Sequence, residues 1–459
     1  MPLTTVAADI DRLRRTFDSG KTRSYEWRIS QLEALLRMLD DQETRFVDAL
    51  AGDMHRSEVE AITADLAVVR NDTTDAIKHL KKWMKPEPTK KPAVLGIGAK
   101  VEVIHEPLGV ALIIGAWNYP IMLTLGPLVG AIAAGCCAVL KPSELSKASA
   151  VAIERSVAEY LDPDAFAVVQ GSIPETTEIL EQRYDHVFFT GSPAVGRIVM
   201  AAAAKHLTPV TLELGGKSPA IVAADADLAV AAKRITQGKF FNAGQTCIGV
   251  DYVMVEEAVA QELTDLVVAE VKNFYGEDPK TSIDFARIIN AGNFDRLVAL
   301  IAGEEIALGG ENDSDQLYIA PTVLVGVDPQ APVMMEEIFG PLLPILTVAN
   351  IDEAIAIVHE GEKPLALYVF SKDKAIQEEV INQTSSGGAC INDTLTHLAM
   401  PEAPFGGVGE SGIGQYHGYD GYLTFTHRRT VVKRTTKIDP DVRYPPYGPV
   451  KGKIAEKLA

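Results

Sequence analysis

The sequence predicts an α/β protein of two domains, each built on a largely parallel sheet, with a separate β segment late in the chain. Three observations lead there. The chain has 459 residues, too many for a single hydrophobic core. From about residue 106 onward, short apolar runs rich in β-formers alternate with helical ones, and strands apolar throughout belong to parallel sheets covered on both faces. A strand-like stretch at 422–435 carries too many charges for a core strand and fits an edge or a subunit-bridging role.

Residues 23–39 and 42–50 place apolar side chains at three- and four-residue steps among charges, as amphipathic helices do. A proline-rich break, Lys85-Pro86-Glu87-Pro88 through Lys91-Pro92, ends this helical region. Residues 110–114 then read as a strand, 120–134 as a helix with proline in its first turn, 137–140 as a strand and 146–160 as a helix. Strands at 166–169 and 186–189 and a helix at 194–205 continue this first series. A second series follows Leu214, with strands at 252–255, 342–348 and 365–370 and helices at 261–274 and 351–358. No charged residue lies between Glu106 and Lys141. Asn118, Pro120 and Gly126-Pro127 interrupt that run and no Lys/Arg cluster flanks it, so it reads as strand, loop, helix and strand rather than a membrane span.

Sixty-two carboxylates against 43 Lys plus Arg leave a net charge of −19. That excess repels phosphate backbones and argues against a nucleic-acid partner. The four cysteines, at 136, 137, 247 and 390, show no metal-ligand spacing, so no metal site is expected. Their scarcity suggests free thiols in a reducing compartment, and a cytoplasmic location is expected. No signal peptide is visible in the first ten residues, and Lys451 to Ala459 lacks the character of a hydrophobic anchor.

Several segments could carry chemistry. Cys247 follows Phe241-Asn242-Ala243-Gly244-Gln245-Thr246, a small polar loop able to expose a thiol, although most free cysteines are simply buried. Glu213, in Leu212-Glu213-Leu214-Gly215-Gly216, is either a solvated turn carboxylate or a desolvated one, whose raised pKa would suit a general base. Asn118, at the carboxyl end of a proposed strand, is either a turn residue or an amide able to hold an oxyanion. Phe189-Thr190-Gly191-Ser192-Pro193-Ala194-Val195-Gly196 is a strand, a glycine turn and a helix start, where backbone could approach a phosphate; a ligand-free turn fits equally well. Glu144, in Lys141-Pro142-Ser143-Glu144, fits a ribose-binding carboxylate or one near a helix start. Glu336-Glu337-Ile338-Phe339-Gly340-Pro341 places two carboxylates before a turn, where they are usually solvated.

In their order, these segments and Pro404-Phe405-Gly406-Gly407 resemble the aldehyde dehydrogenase superfamily over roughly residues 23–435. Lys205-His206-Leu207-Thr208-Pro209-Val210-Thr211 and Ile391-Asn392-Asp393-Thr394 with His397 are similar to its class 3 branch, which acts on fatty or aromatic aldehydes. The resemblance implies a Rossmann-type cofactor domain (1–86 and 106–212), a catalytic domain (213–412), bridging strands (87–105 and 420–436) and a tail (437–459). It implies oxidation of medium- or long-chain aliphatic or aromatic aldehydes to acids. Cys247 would attack as a thiolate, Asn118 and the Cys247 N–H would hold the oxyanion, and Glu213 would activate the hydrolytic water. Trp117, Lys141, Glu144, Gly191, Ser192, Val195, Gly196, Leu214, Gly215, Glu337 and Phe339 would hold the coenzyme. Tyr119, Phe241, Thr396 and His397 would border the substrate entrance. Glu144 should repel a 2′-phosphate, so NAD is expected with NADP possible, in a homodimer. Pro193, Asn293 and Glu410 depart from the family pattern. The alternatives are an enzyme passing its acyl group to coenzyme A, and a non-catalytic binding protein on the same scaffold.

Overall fold

The computed structural model describes residues 4–90, 98–439 and 441–458. Parts of three expectations therefore lie outside the described residues: the extreme N-terminus, the Lys91-Pro92 end of the proline-rich break with the adjoining piece of segment 87–105, and two positions of the 437–459 tail.

A six-stranded sheet runs in the order Gly412–Ile413, Val210–Glu213, His186–Thr190, Val110–Ile114, Cys137–Lys141, Phe166–Val168, parallel except for the first. Val110–Ile114, Cys137–Lys141 and His186–Thr190 are buried along their whole length. Each Val, Leu, Ile or Phe side chain so removed from water contributes roughly 1.5–3 kcal/mol, which explains their mostly apolar character, with Lys141, His186 and Thr190 confined to strand ends. The helix Pro120–Ala134 between two of them is also buried on every face. Among the described residues no helix is long and apolar enough to cross a membrane.

The chain passes from Val110–Ile114 outward through Cys137–Lys141 to Phe166–Val168, then returns to the other side of Val110–Ile114 at His186–Thr190. That reversal opens a crevice at the carboxyl ends of these two strands, the usual ligand position in open parallel sheets. The loops bearing Trp117-Asn118 and Gly191-Ser192 leave from it.

The second sheet has seven strands in the order Glu305–Leu308, Thr322–Val325, Leu342–Val348, Tyr252–Glu256, Pro219–Val222, Ala366–Phe370, Gly388–Ile391, parallel apart from the first. Glu213 ends a strand of one sheet and Pro219 opens a strand of the other, so the Leu214–Lys217 turn joins the two layers.

The late β segment needs a correction. Residues 422–424 belong to the helix Gly418–Thr424, and only Thr426–Arg434 is a strand. Tyr422 is wholly buried, with its ring 5.7 Å from that of Trp83, and that packing holds the turn in place. The strand pairs antiparallel with Ala99–Pro107, which also pairs with Glu87–Pro88. Its far edge meets no further strand among the described residues.

Candidate active site

Cys247 lies on the turn after the short helix Phe241–Gly244, which follows the long helix Leu228–Phe240. Asn242 and Ala243 both adopt left-handed backbone (φ 51° and 50°), a costly conformation for residues with side chains that persists only where the surroundings impose it. Here the surroundings are polar contacts. Asn242 Nδ2 donates to the carbonyls of Asn118 (3.1 Å) and Gln245 (3.2 Å), and the Asn242 N–H points at Glu60 (3.3 and 3.4 Å). Gln245 Nε2 donates to the Asn242 carbonyl at 3.1 Å and to the Arg287 carbonyl at 3.0 Å.

The thiol opens into a cavity of about 270 Å³ lined with Tyr119, Met122, Leu123, Phe241, Thr396, Leu398, Phe405 and others, mostly apolar. Tyr119, Phe241 and Thr396, three of the four residues expected at a substrate entrance, thus share a space with Cys247. His397 does not line it; its Nδ1 sits 3.3 Å from the Cys390 thiol instead.

The resemblance implies an ionised thiol, whereas the surroundings here favour the protonated one. Burial, reinforced by the nearby Glu337 and Glu213 carboxyls, pushes Cys247 up to about 12. Glu213 is 2 % exposed and neither carboxyl oxygen meets a hydrogen-bond partner among the described residues, so desolvation raises its pKa well above the carboxylate range. An orphaned buried carboxyl is costly and rare, and here it stands near a thiol. Asn118 is buried, and its Nδ2 donates to the Gln245 carbonyl at 3.1 Å, leaving one of its two N–H bonds available.

A second cavity, of about 660 Å³, is lined by Pro193, Gly215, Gly216, Lys217, Glu337 and Glu410 among others. Burial and the neighbouring Asp251 push Glu337 up to about 8. A side chain at Gly215 would collide with the Glu337 carboxylate, the added carbon falling 2.3 Å from an oxygen. Trp117 meets Phe339 edge to face at 5.3 Å, and Phe339 is itself left-handed (φ 52°). At the end of its strand the buried Lys141 reaches Glu144 at 2.9 Å. Burial alone would raise Glu144, but the Lys141 hydrogen bond, a backbone N–H and the Lys141 charge together outweigh it, and the carboxyl lies below its usual range. Ser192 caps the helix Pro193–Ala204, Val195 is exposed on its first turn, and Gly196 packs under Leu214. An open cleft, a helix N-terminus and a paired Lys–Glu at strand ends suit a dinucleotide with its two riboses.

Three residues of this region lie in none of the motifs read from the sequence: Arg56, Glu60 and Asp65, all buried. Ser57-x-x-Glu60 has the spacing of a capping box, and Ser57 does accept the Glu60 N–H, yet the Glu60 carboxylate faces Asn242 instead. Desolvation lifts Glu60 to about 7. Asp65 accepts the Met122 N–H at 2.8 Å, serving as the cap that Tyr119 does not provide for the helix Pro120–Ala134. Elsewhere Asp75, His79 and Glu402 bring one potential ligand atom each within 4.8 Å of one another. His79 is already bonded to Asp75 at 2.8 Å, and Lys82 and Lys85 line the same pocket.

Comparison with known proteins agrees with this geometry. The model of the aldehyde dehydrogenase family matches residues 4–431. The chain is 47 % identical to the dimeric NADP-preferring aldehyde dehydrogenase of Mus musculus, over 97 % of this chain and 98 % of that one. It is 49 % identical to aldehyde dehydrogenase family 3 member A2 of Mus musculus, over 95 % and 90 %. The substrate-bound AldH of Staphylococcus aureus superposes with a TM-score of 0.96 at 41 % identity, covering 99 % of both chains. The chain belongs to the aldehyde dehydrogenase family. It is an NAD(P)-dependent aldehyde dehydrogenase, similar to the class 3 members.

Proposed function

We propose that this enzyme converts medium- or long-chain aliphatic or aromatic aldehydes to carboxylic acids through a covalent bond to Cys247. The observation that carries the reading is Cys247 lining an apolar cavity, with the buried Glu213 carboxyl, which has no hydrogen-bond partner among the described residues, close enough to raise its pKa. An aldehyde has no hydride to give until a nucleophile adds to its carbonyl carbon. Cys247 sulfur forms that bond, and the carbonyl oxygen becomes an oxyanion held by the free Asn118 N–H and the Cys247 backbone N–H. The thiol proton leaves to solvent as the sulfur attacks, so Glu213 takes no part in this first step. A nicotinamide coenzyme, when bound, would supply the hydride acceptor that turns this adduct into a thioester. Glu213 then removes a proton from water as it attacks the thioester, and the acid departs with the thiol restored.

Lys141 and Glu144 would hold the adenosine ribose, and Glu337 the nicotinamide ribose beside Phe339. Trp117, Gly191, Ser192, Val195, Gly196, Leu214 and Gly215 would shape the path between. The Glu144 carboxylate disfavours a 2′-phosphate, so NAD is the better coenzyme and NADP is also taken. We assign 1–86 and 106–212 to coenzyme binding and 213–412 to catalysis. Within 87–105 and 420–436, the strands Ala99–Pro107 and Thr426–Arg434 would bridge two subunits of a homodimer, supported by the outer edge of Thr426–Arg434, which pairs with no further strand among the described residues, and by the dimeric relative. Four cysteines free of disulfides fit a cytoplasmic location.

The test is reduction of NAD and NADP followed at 340 nm with a panel of aldehydes. Turnover should increase with the apolar size of the aldehyde, and Cys247→Ser should lower kcat by about 10³-fold or more while coenzyme still binds. Retained turnover in that variant would remove the nucleophile from this assignment.

A further inference from the structure

We infer that Arg56 is a positioning residue for the reaction: its guanidinium fixes the loop carrying Asn118 against the loop carrying Cys247. The inference rests on the catalytic roles proposed above for those two residues.

Arg56 comes from the turn after the helix Glu43–Met54, well removed in sequence from both loops, and its side chain is wholly buried. Each face of the guanidinium group is committed. Nη2 donates to the Asn118 carbonyl, Nε to Asn242 Oδ1 at 3.2 Å, and Nη1 to the buried Asp65 carboxylate. Its central carbon lies 4.5 Å from the centre of the Tyr119 ring. One planar group therefore touches two consecutive residues of the Asn118 loop and one residue of the Cys247 loop.

The contacts form a closed circuit. Asn242, held by Arg56, donates to the same Asn118 carbonyl at 3.1 Å, so that carbonyl receives two donors and its peptide plane is fixed. The Asn118 amide is then directed at the Gln245 carbonyl at 3.1 Å, two positions before Cys247. Asn118, Asn242 and Gln245 are all at most 3 % exposed, so water cannot substitute for a lost partner. Asp65 fixes the guanidinium in turn while holding the first turn of Pro120–Ala134. A purely structural arginine could pair with any carbonyls; this one selects the two loops whose spacing decides whether an oxyanion meets its donors. A displacement of about 1 Å in such a constellation costs on the order of a hundredfold in rate.

Lysine keeps the charge opposite Asp65 but offers a single point of donation where three directed donors are needed. Arg56→Lys and Arg56→Met are therefore made in the full-length enzyme, each alone and with Asn118→Ala. Measurements are kcat, KM for aldehyde and coenzyme, melting temperature, and the rate of Cys247 alkylation by iodoacetamide. Arg56→Met is expected to lower kcat by about 10- to 100-fold, with coenzyme KM changed less than about threefold, and Arg56→Lys to recover part of the loss. In the Asn118→Ala background the same replacements should cost less than about threefold, because the donor they misplace is gone. Full multiplication of the two effects, or a kcat loss that only follows the folded fraction, would overturn the inference. Should Arg56→Met fail to fold, Arg56→Lys carries the same comparison. Asn118→Ala alone reports on the underlying catalytic reading. If it leaves kcat intact that reading fails, and an unchanged Cys247 alkylation rate in the Arg56 variants would then end the positioning role as well.

Discussion

Cys247 and Glu213 are both held in their neutral forms by burial, the thiol up to about 12 and the carboxyl well above its ordinary range. Each carries the other's difficulty, since a negative charge on either one opposes ionisation of its neighbour. The rate of Cys247 alkylation should therefore climb across pH 6 to 9 without a plateau, and a plateau near neutrality would show an ionised resting thiol. Glu213→Gln should retain a first-turnover burst of reduced coenzyme while steady turnover falls about 10²- to 10⁴-fold; loss of the burst would place Glu213 in acylation instead. The same substitution has a stability consequence. The folded state keeps the Glu213 proton at pH values where the unfolded chain has released it, so folding loses stability as pH rises above the ordinary glutamate pKa. Glu213→Gln should thus raise the melting temperature, and by more at pH 8 than at pH 5. An equal shift at both would contradict a raised pKa. Cys247, Glu213 and Asn118 were legible because each sits in a short local motif. Arg56 was not: its partners Asn118 and Asn242 lie 62 and 186 positions away, and nothing local marks the contact.

At the scale of elements, the site depends on turns that only particular backbones can make. Gly244 has φ +75°, and a side-chain carbon there would lie 2.2 Å from the Gly340 carbonyl oxygen, joining the Cys247 loop to the turn that carries Phe339. Gly276 has a similar φ of +79° with nothing within 4 Å. Gly244→Ala should lose roughly 2–4 kcal/mol of stability together with kcat, and Gly276→Ala about 1–2 kcal/mol with kcat unchanged. Thermal unfolding and steady-state kinetics on the pair separate backbone strain from collision, and equal losses would mean the Gly340 contact can relax. Four of the six strands of the first sheet could be read directly, because burial writes a mostly apolar run; Gly412–Ile413, two residues long, leaves no such mark. The second sheet was read less completely. Pro219–Val222, Thr322–Val325 and Gly388–Ile391 are each only four residues long, too short to show a period. The misreading of 422–424 has another cause: Tyr422 is aromatic and suits a strand, but it is packed against Trp83 in a short helix.

At the scale of the whole molecule, Glu213 leaves one sheet and Pro219 enters the other, so the fold sets the Glu213 carboxyl, the proposed base, at the passage between the two sheets. The outer edge of the strand Thr426–Arg434 pairs with no further strand among the described residues, and Val432 is 59 % exposed. Val432→Asp should turn the proposed dimer into a monomer in light scattering, and an unchanged dimer mass would remove this strand from the interface. In the proposed reaction, oxidation leaves the substrate bound to Cys247 as a thioester awaiting Glu213. The mass of Glu213→Gln enzyme, quenched in acid after mixing with aldehyde and coenzyme, tests this. It should rise by the mass of the aldehyde minus two hydrogens, located on the Cys247 peptide and absent when coenzyme is omitted. Formation of reduced coenzyme and acid with that peptide never modified, or with the acyl group on another residue, would contradict it.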